Sequence, residues 1–145
     1  MSRAEKIYSA LVRSHMLLSE SDDRFFEQYH LGKTRYYVLL HIDQQPGISL
    51  SELSKRLLCT KGNTTRIVRG LEQDGYVARQ PDPQDNRAQR LLLTAQGQKL
   101  FENARLAYQN HKQVLFACLE TEAANSLIEN LETLNRDWIA RLHPE

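Results

Sequence analysis

At 145 residues the chain fits one ordinary domain and is too short for two full ones. With 41% hydrophobic and 26% charged residues it reads as a soluble globule, and its longest obvious apolar run, Tyr36 to Leu40, is far below the ~20 residues of a membrane span. The net charge of +1 hides an asymmetry. Between Leu53 and Arg90 eight basic residues face four acidic ones, whereas from Gln113 onward two arginines face six acids, so the basic working surface is expected in the middle of the chain.

Met1-Ser2-Arg3-Ala4-Glu5 leads into no apolar h-region, so no secretion signal is expected and cytoplasm is the expected compartment. From about Arg3 to Tyr29 the spacing of Ile7, Leu11, Leu18 and Phe25, with Tyr8 and Val12 alongside, predicts a first helix. A second runs from about Thr34 to Gln44 and is stopped by Pro46-Gly47. Ser49-Leu50-Ser51-Glu52 reads as a capping box that starts a short third helix, with Ile48 and Leu53 as the hydrophobic staple. After Cys59, Thr60 is placed to cap a fourth helix from Lys61 to about Asp74, and Gly75 supplies a left-handed stop. Tyr76–Gln80 and Gln89–Thr94 read as strands around the turn formers Pro81-Asp82-Pro83-Gln84-Asp85-Asn86. Thr94 can cap a fifth helix with the stripe Leu100, Ala104, Ala107, Tyr108, His111, Leu115 and Cys118, and Leu127, Leu131, Leu134, Trp138 and Leu142 mark a sixth.

The two short helices joined by a tight turn have helix-turn-helix proportions, in which the second helix enters the major groove of DNA. At 100° per residue, Thr64, Val68 and Leu71 share one side of the fourth helix, which is its core face. Gly62, Arg66, Arg69 and Gln73 fall opposite, with Asn63 and Thr65 on the flanks. Gly62 permits close backbone approach and the helix N-terminus offers N–H groups to a phosphate. Arg66 can donate twice to a guanine edge, Asn63 can pair with adenine, and Thr65 can touch a thymine methyl or a phosphate. The competing reading is a solvated amphipathic helix. The hairpin that follows weighs against it, because a β-hairpin after the second helix is the wing of a winged helix. Arg87 at its tip is placed to enter the minor groove, and Arg79 and Arg90 on its strands to reach phosphates.

Three stretches, Leu71-Glu72-Gln73-Asp74-Gly75-Tyr76-Val77, Asp82-Pro83-Gln84-Asp85-Asn86-Arg87-Ala88-Gln89-Arg90 and Leu93-Thr94-Ala95-Gln96-Gly97, together resemble the MarR family of multiple-antibiotic-resistance-type regulators. The run Asp-x-Arg-x-x-Arg before Leu-Thr-x-x-Gly carries most of the resemblance. It implies a mainly α winged helix (α+β) of six helices with a two-stranded hairpin wing. Residues 1–145 would form one domain, with a DNA-binding lobe over about 33–94 and dimerisation helices over about 1–30 and 95–145. It further implies a homodimer on a pseudo-palindromic double-stranded operator, and repression relieved by a small-molecule effector. By that resemblance Arg87 is the minor-groove arginine, Asp85 holds the wing tip through an ion pair, and Lys61, Asn63, Thr65 and Arg66 form the groove-facing half of the recognition helix. Two positions depart from the pattern: Leu58 stands where glycine is usual, and Arg69 where an acid is common. With Gly70 they suggest an altered turn backbone, extra phosphate contact and a closer approach to DNA.

No nucleophile elbow, phosphate loop, His-Glu-x-x-His or Cys-x-x-Cys is present, so neither an enzyme nor a cofactor is expected. The alternatives are a winged-helix module that binds only proteins, and a metal-responsive regulator. His15, His30, His41, His111 and His143 contain no i, i+4 pair, so no metal ligands are assigned. An effector pocket lined by His15, Tyr37 and His41 is expected instead, on helix position and analogy. Cys59 and Cys118 are expected as small buried hydrophobes.

Overall fold

The computed structural model describes residues 1–85 and 87–144. Asn86, the last residue of the predicted turn, lies outside the described residues. Among those described, six helices and one antiparallel hairpin follow in the predicted order: α1 (Arg3–Glu27), α2 (Lys33–Gln44), α3 (Leu50–Leu57), α4 (Lys61–Gln73), β1 (Val77–Pro81), β2 (Gln89–Leu93), α5 (Ala95–Phe116) and α6 (Thr121–Leu142). The residues group into two compact units, Met1–Tyr108 and Gln109–Glu145.

The first unit holds the core. Phe26, Tyr36, Phe101 and Tyr108 form an aromatic cluster with ring centroids 4.8–5.6 Å apart. Val38, Leu39, Ile42, Leu53, Val68, Leu71 and Leu91 complete the buried interior. Asp22 on α1 is 1% exposed and is met by two partners. It accepts a hydrogen bond from the Tyr108 hydroxyl at 2.9 Å and an ion pair from Lys33 Nζ at 2.7 Å. Burial, and then that hydrogen bond to Asp22, push the Tyr108 hydroxyl well above the ordinary tyrosine range, so it stays protonated and donates.

Local chemistry sets the boundaries. The Ser49 side chain accepts from the Glu52 amide at 3.1 Å and starts α3 as expected. The Glu52 carboxylate turns to Arg56 at 3.7 Å, so only the Ser49 half of the predicted box is used. The complete capping box, Ser2 with Glu5, starts α1, where no cap was predicted. Thr60 caps α4 through the Asn63 amide at 3.2 Å, and Gly75 takes φ +82° to end the turn after it.

β1 pairs with β2 in the register Val77↔Leu93 to Pro81↔Gln89. Thr94 was expected in the second strand and lies outside it. Its amide donates to the Tyr76 carbonyl at 3.1 Å and its hydroxyl accepts from the Gly97 amide at 3.0 Å, which starts α5. Ile48 adds a single antiparallel bridge to Leu91 on the far side of β2, an unpredicted third strand position that ties the wing to the start of α3.

Leu58 corrects the expectation of an altered helix-turn-helix backbone. It takes φ 52°, ψ 36°, the left-handed conformation that glycine would supply, while leaving its side chain 67% exposed. A left-handed L-residue costs about 1–2 kcal/mol, and exposure returns little of that by burial. Glycine relieves the strain but raises unfolded-chain entropy by about 0.4–1 kcal/mol. Leu58→Gly should therefore stabilise the fold by about 0.5–1 kcal/mol, raising the thermal midpoint by a few degrees at fixed protein concentration. A midpoint lowered by the substitution would show that Leu58 is held by contacts worth more than its strain.

In the second unit, α6 has no buried residue among those described, although it carries Leu127, Ile128, Leu131, Leu134, Trp138 and Ile139. On α1, Ile7, Tyr8, Val12, Leu17 and Leu18 are likewise exposed, and the helix buries only Asp22, Phe25 and Phe26 near its end.

Candidate nucleic-acid interface

The amphipathic division of α4 holds in three dimensions. Thr64, Val68 and Leu71 are fully buried, while Lys61, Gly62, Arg66 and Arg69 are exposed and Asn63 and Thr65 half-buried. Two of the outward side chains are already organised by their own helix. The Thr65 hydroxyl donates to the Lys61 carbonyl at 2.8 Å, and Arg66 Nη2 donates to Asn63 Oδ1 at 2.8 Å.

The wing stands beside this helix. Its turn is closed by the Asp82 amide on the Ala88 carbonyl and the Ala88 amide on the Asp85 carbonyl, each at 3.0 Å. Asp85 Oδ1 accepts from the Arg87 backbone amide at 3.0 Å. This corrects the expected ion pair: among the described residues Asp85 shapes the tip through the backbone, an Asx turn, and the Arg87 guanidinium is left to solvent. Lys61, Arg79 and Arg87 converge, with Ser49, Ser51 and Gln89, on an open cleft of about 410 Å³ between the starts of α3 and α4 and the wing. Asp85 also lines the cleft, so one carboxylate stands among its three cations, and the excess of positive charge beside two helix N-termini suits an anion such as a phosphate.

Of the eight basic residues in the middle of the chain, the six on α4 and the wing divide into two groups. Arg79 is tied to Glu72 of α4 at 2.9 Å and Arg90 approaches Asp82 at 3.8 Å, so both brace the wing. Among the described residues Lys61, Arg66, Arg69 and Arg87 have no acidic partner. The Glu72–Arg79 brace was not assigned from the sequence, although both residues lie in or beside the stretch that carried the family resemblance. Their pairing depends on how β1 leaves α4.

Gly70 does not serve a close approach to DNA. A Cβ there would lie 2.5 Å from Arg35 Nη2, and Arg35 bonds Asp74 at 2.6 Å. The missing side chain makes room for an α2 arginine that holds the end of α4.

The predicted pocket is half assembled. Tyr37 and His41 line a cleft of about 430 Å³ with Leu40, Arg56, Leu57 and Cys59. His15 is exposed on α1 and does not line it, because it sits two turns before the part of that helix that packs into the core. Burial, and then the Arg56 guanidinium, lower the His41 pKa below the usual histidine value, which keeps the ring neutral at neutral pH. Cys59 is half-buried, whereas Cys118 is exposed just beyond the end of α5, because the helix stops at Phe116 before its stripe reaches the cysteine. Among the described residues no group of three or more His, Cys, Asp or Glu could hold a metal ion, and no helix is long and apolar enough to cross a membrane.

Residues 31–88, which hold most of this interface, match the model of the MarR family. The chain is 30% identical over 142 residues to the HTH-type transcriptional regulator BilQ of Clostridium symbiosum, covering 98% of this chain and 97% of that protein. It is 29% identical over 140 residues to the HTH-type transcriptional regulator PapX of Escherichia coli, covering 95% of this chain and 83% of the other. Among solved structures it resembles the S. aureus MepR–DNA complex, with a TM-score of 0.81 and 26% identity over 90% of this chain and 97% of that one.

Proposed function

Because this chain belongs to the MarR family, we propose that it is a cytoplasmic transcription regulator that grips double-stranded operator DNA with α4 in the major groove and the wing alongside. The observation that carries this reading is the set of cations without acidic partners, Lys61, Arg66, Arg69 and Arg87, distributed over the outward face of α4 and the rim of the wing cleft. Arg87 enters the minor groove, Arg66 reads a base edge, and Lys61 and Arg69 neutralise phosphates. Gly62 lets the helix start approach the backbone, and Thr65 offers its methyl group. Arg79, which lines the wing cleft, and Arg90, on the opposite face of the hairpin, reach phosphates while bracing the wing on Glu72 and Asp82. Residues of about 33–94 form the DNA-binding lobe. The exposed apolar faces of about 1–30 and 95–145 close on a second copy of the chain, so that two recognition helices about 34–36 Å apart meet a pseudo-palindromic site. The regulator acts as a repressor, and a small effector entering the Tyr37–His41 cleft releases it.

Binding isotherms over a salt series test the division of labour. Arg66→Ala should relax discrimination at one base pair by about 1–3 kcal/mol. Arg69→Ala should weaken all sequences alike and lower the salt slope by about one per subunit. Uniform weakening by both would retire Arg66 as a base reader, and salt-independent affinity would remove the DNA reading altogether.

A further inference from the structure

α4 carries an acid, Glu72, in its last turn and a second, Asp74, as its C-cap, although it is the helix that faces DNA. At 100° per residue, counted from Thr64 in the buried row, Glu72 stands about 80° to one side and Asp74 about 80° to the other. Each is taken by an arginine from a different element. Arg79 of β1 meets Glu72 at 2.9 Å, and Arg35 of α2 meets Asp74 at 2.6 Å. Gly70 lies one turn before Asp74 on the same flank, and its missing Cβ leaves the passage through which Arg35 arrives. The end of α4 is held from both flanks, while Arg66 and Arg69 on its far side stay exposed.

The buried row Thr64, Val68 and Leu71 fixes how deep the helix sits, and it is also a line about which the helix can roll. With side chains an α-helix is about 10–12 Å across, so a roll of ~10° about that row carries a tip on the far side by about 2 Å. Binding groups have to be held to within about 0.5 Å. Ion pairs on the two flanks oppose the roll in both directions. We infer that Glu72 and Asp74 are positioning residues for DNA recognition: with Arg79 and Arg35 they set the roll of α4, and hence where Arg66 falls against the base edges. The inference rests on α4 being the helix in the major groove and adds what holds it to one orientation there.

The two roles open to an acid here differ in sign. On charge alone Glu72 and Asp74 repel DNA, so deleting either charge should tighten every duplex alike. As positioning groups, their loss should weaken the recognised sequence only. The probes are a duplex enriched by the full chain from a random library and a scrambled duplex of the same composition. Glu72→Gln and Asp74→Asn keep the side-chain shape, and urea denaturation establishes that each variant is folded under the binding conditions. Each should bind the enriched duplex about two- to fivefold more weakly than the parent, the equilibrium equivalent of what a partly exposed ion pair contributes. Neither should bind the scrambled duplex more weakly. Gly70→Ala leaves every charge in place but closes the passage of Arg35, so it should reproduce the loss seen with Asp74→Asn. Unchanged or tighter binding of the enriched duplex by either amide variant, or equal weakening of both duplexes, would overturn the inference while leaving DNA binding intact. Failure of the parent chain to enrich any duplex would overturn the DNA reading beneath it.

Discussion

Gly97→Ala should cost about 3–5 kcal/mol of stability, a large part of the 5–15 kcal/mol that holds a typical domain together. A Cβ at this position would sit 2.0 Å from the Tyr76 carbonyl oxygen and 2.9 Å from its carbon. Both are backbone atoms, so the clash cannot be relieved by a rotamer change, and α5 must move away from the start of β1. That movement stretches the joint built on Thr94, whose hydroxyl donates to the Gly75 carbonyl at 2.6 Å and accepts from the Gly97 amide, while its own amide donates to Tyr76. Overpacking costs about 1–3 kcal/mol and each hydrogen bond lost about 1 kcal/mol. These outweigh the ~1 kcal/mol by which alanine exceeds glycine in a helix. Urea denaturation should show a lower midpoint with an unchanged slope, and parent-like stability would mean that α5 does not approach β1 so closely. Gly70→Ala is the internal control. Its obstruction is the far end of the long Arg35 side chain, which can yield at the cost of a partly exposed ion pair to Asp74 while alanine favours the helix, so the same chemical change should be close to neutral there.

Leu131→Glu in α6 should turn the proposed dimer into a monomer and lower affinity for a full operator by about 10²–10⁴-fold, because the second half-site then no longer binds as an intramolecular event. The physical basis is the exposed apolar surface. A helix of 22 residues that buries none of its described residues, with Leu131 and Leu134 half-buried and Leu127, Ile128, Trp138 and Ile139 exposed, has little tertiary packing within one chain to sustain it. The exposed Ile7, Tyr8, Val12 and Leu18 of α1 pose the same demand. A C₂ interface burying both sets would satisfy it and supply the spacing of two major grooves. Sedimentation at micromolar concentration should show only dimer for the parent and monomer for Leu131→Glu, with half-site affinity nearly unchanged. A parent chain that sediments as monomer and still binds a full operator tightly would remove the dimer from the mechanism.

Much of this could be read from residue order because the signals are local. Ser49, Thr60 and Thr94 are helix starts by virtue of side-chain oxygens that reach an amide three residues on, and all three behave so. Gly75 marks the end of the α4 turn because a positive φ suits it. The buried row Thr64, Val68, Leu71 follows from helical periodicity alone, and with it the outward face of Arg66 and Arg69. The family resemblance lay in the wing and its flanks, again a contiguous stretch.

What the sequence left open were relations between residues whose separation along the chain carries no periodic signal. The Ile48–Leu91 bridge is one residue long, too short for any alternation to announce it. Gly70 looked like an opening toward DNA, and its purpose became visible only when Arg35, half a lobe away in sequence, was found against it. Leu58 looked like a change of turn, but its backbone takes the left-handed conformation that a glycine would supply. Asp22, Lys33 and Tyr108, drawn from α1, the start of α2 and α5, meet as a buried polar joint that no spacing rule connects. A helix pattern tells which face turns inward, because 3.6 residues make a turn regardless of context. It cannot tell which neighbour that face will meet, because the neighbour is set by closing the whole core at once.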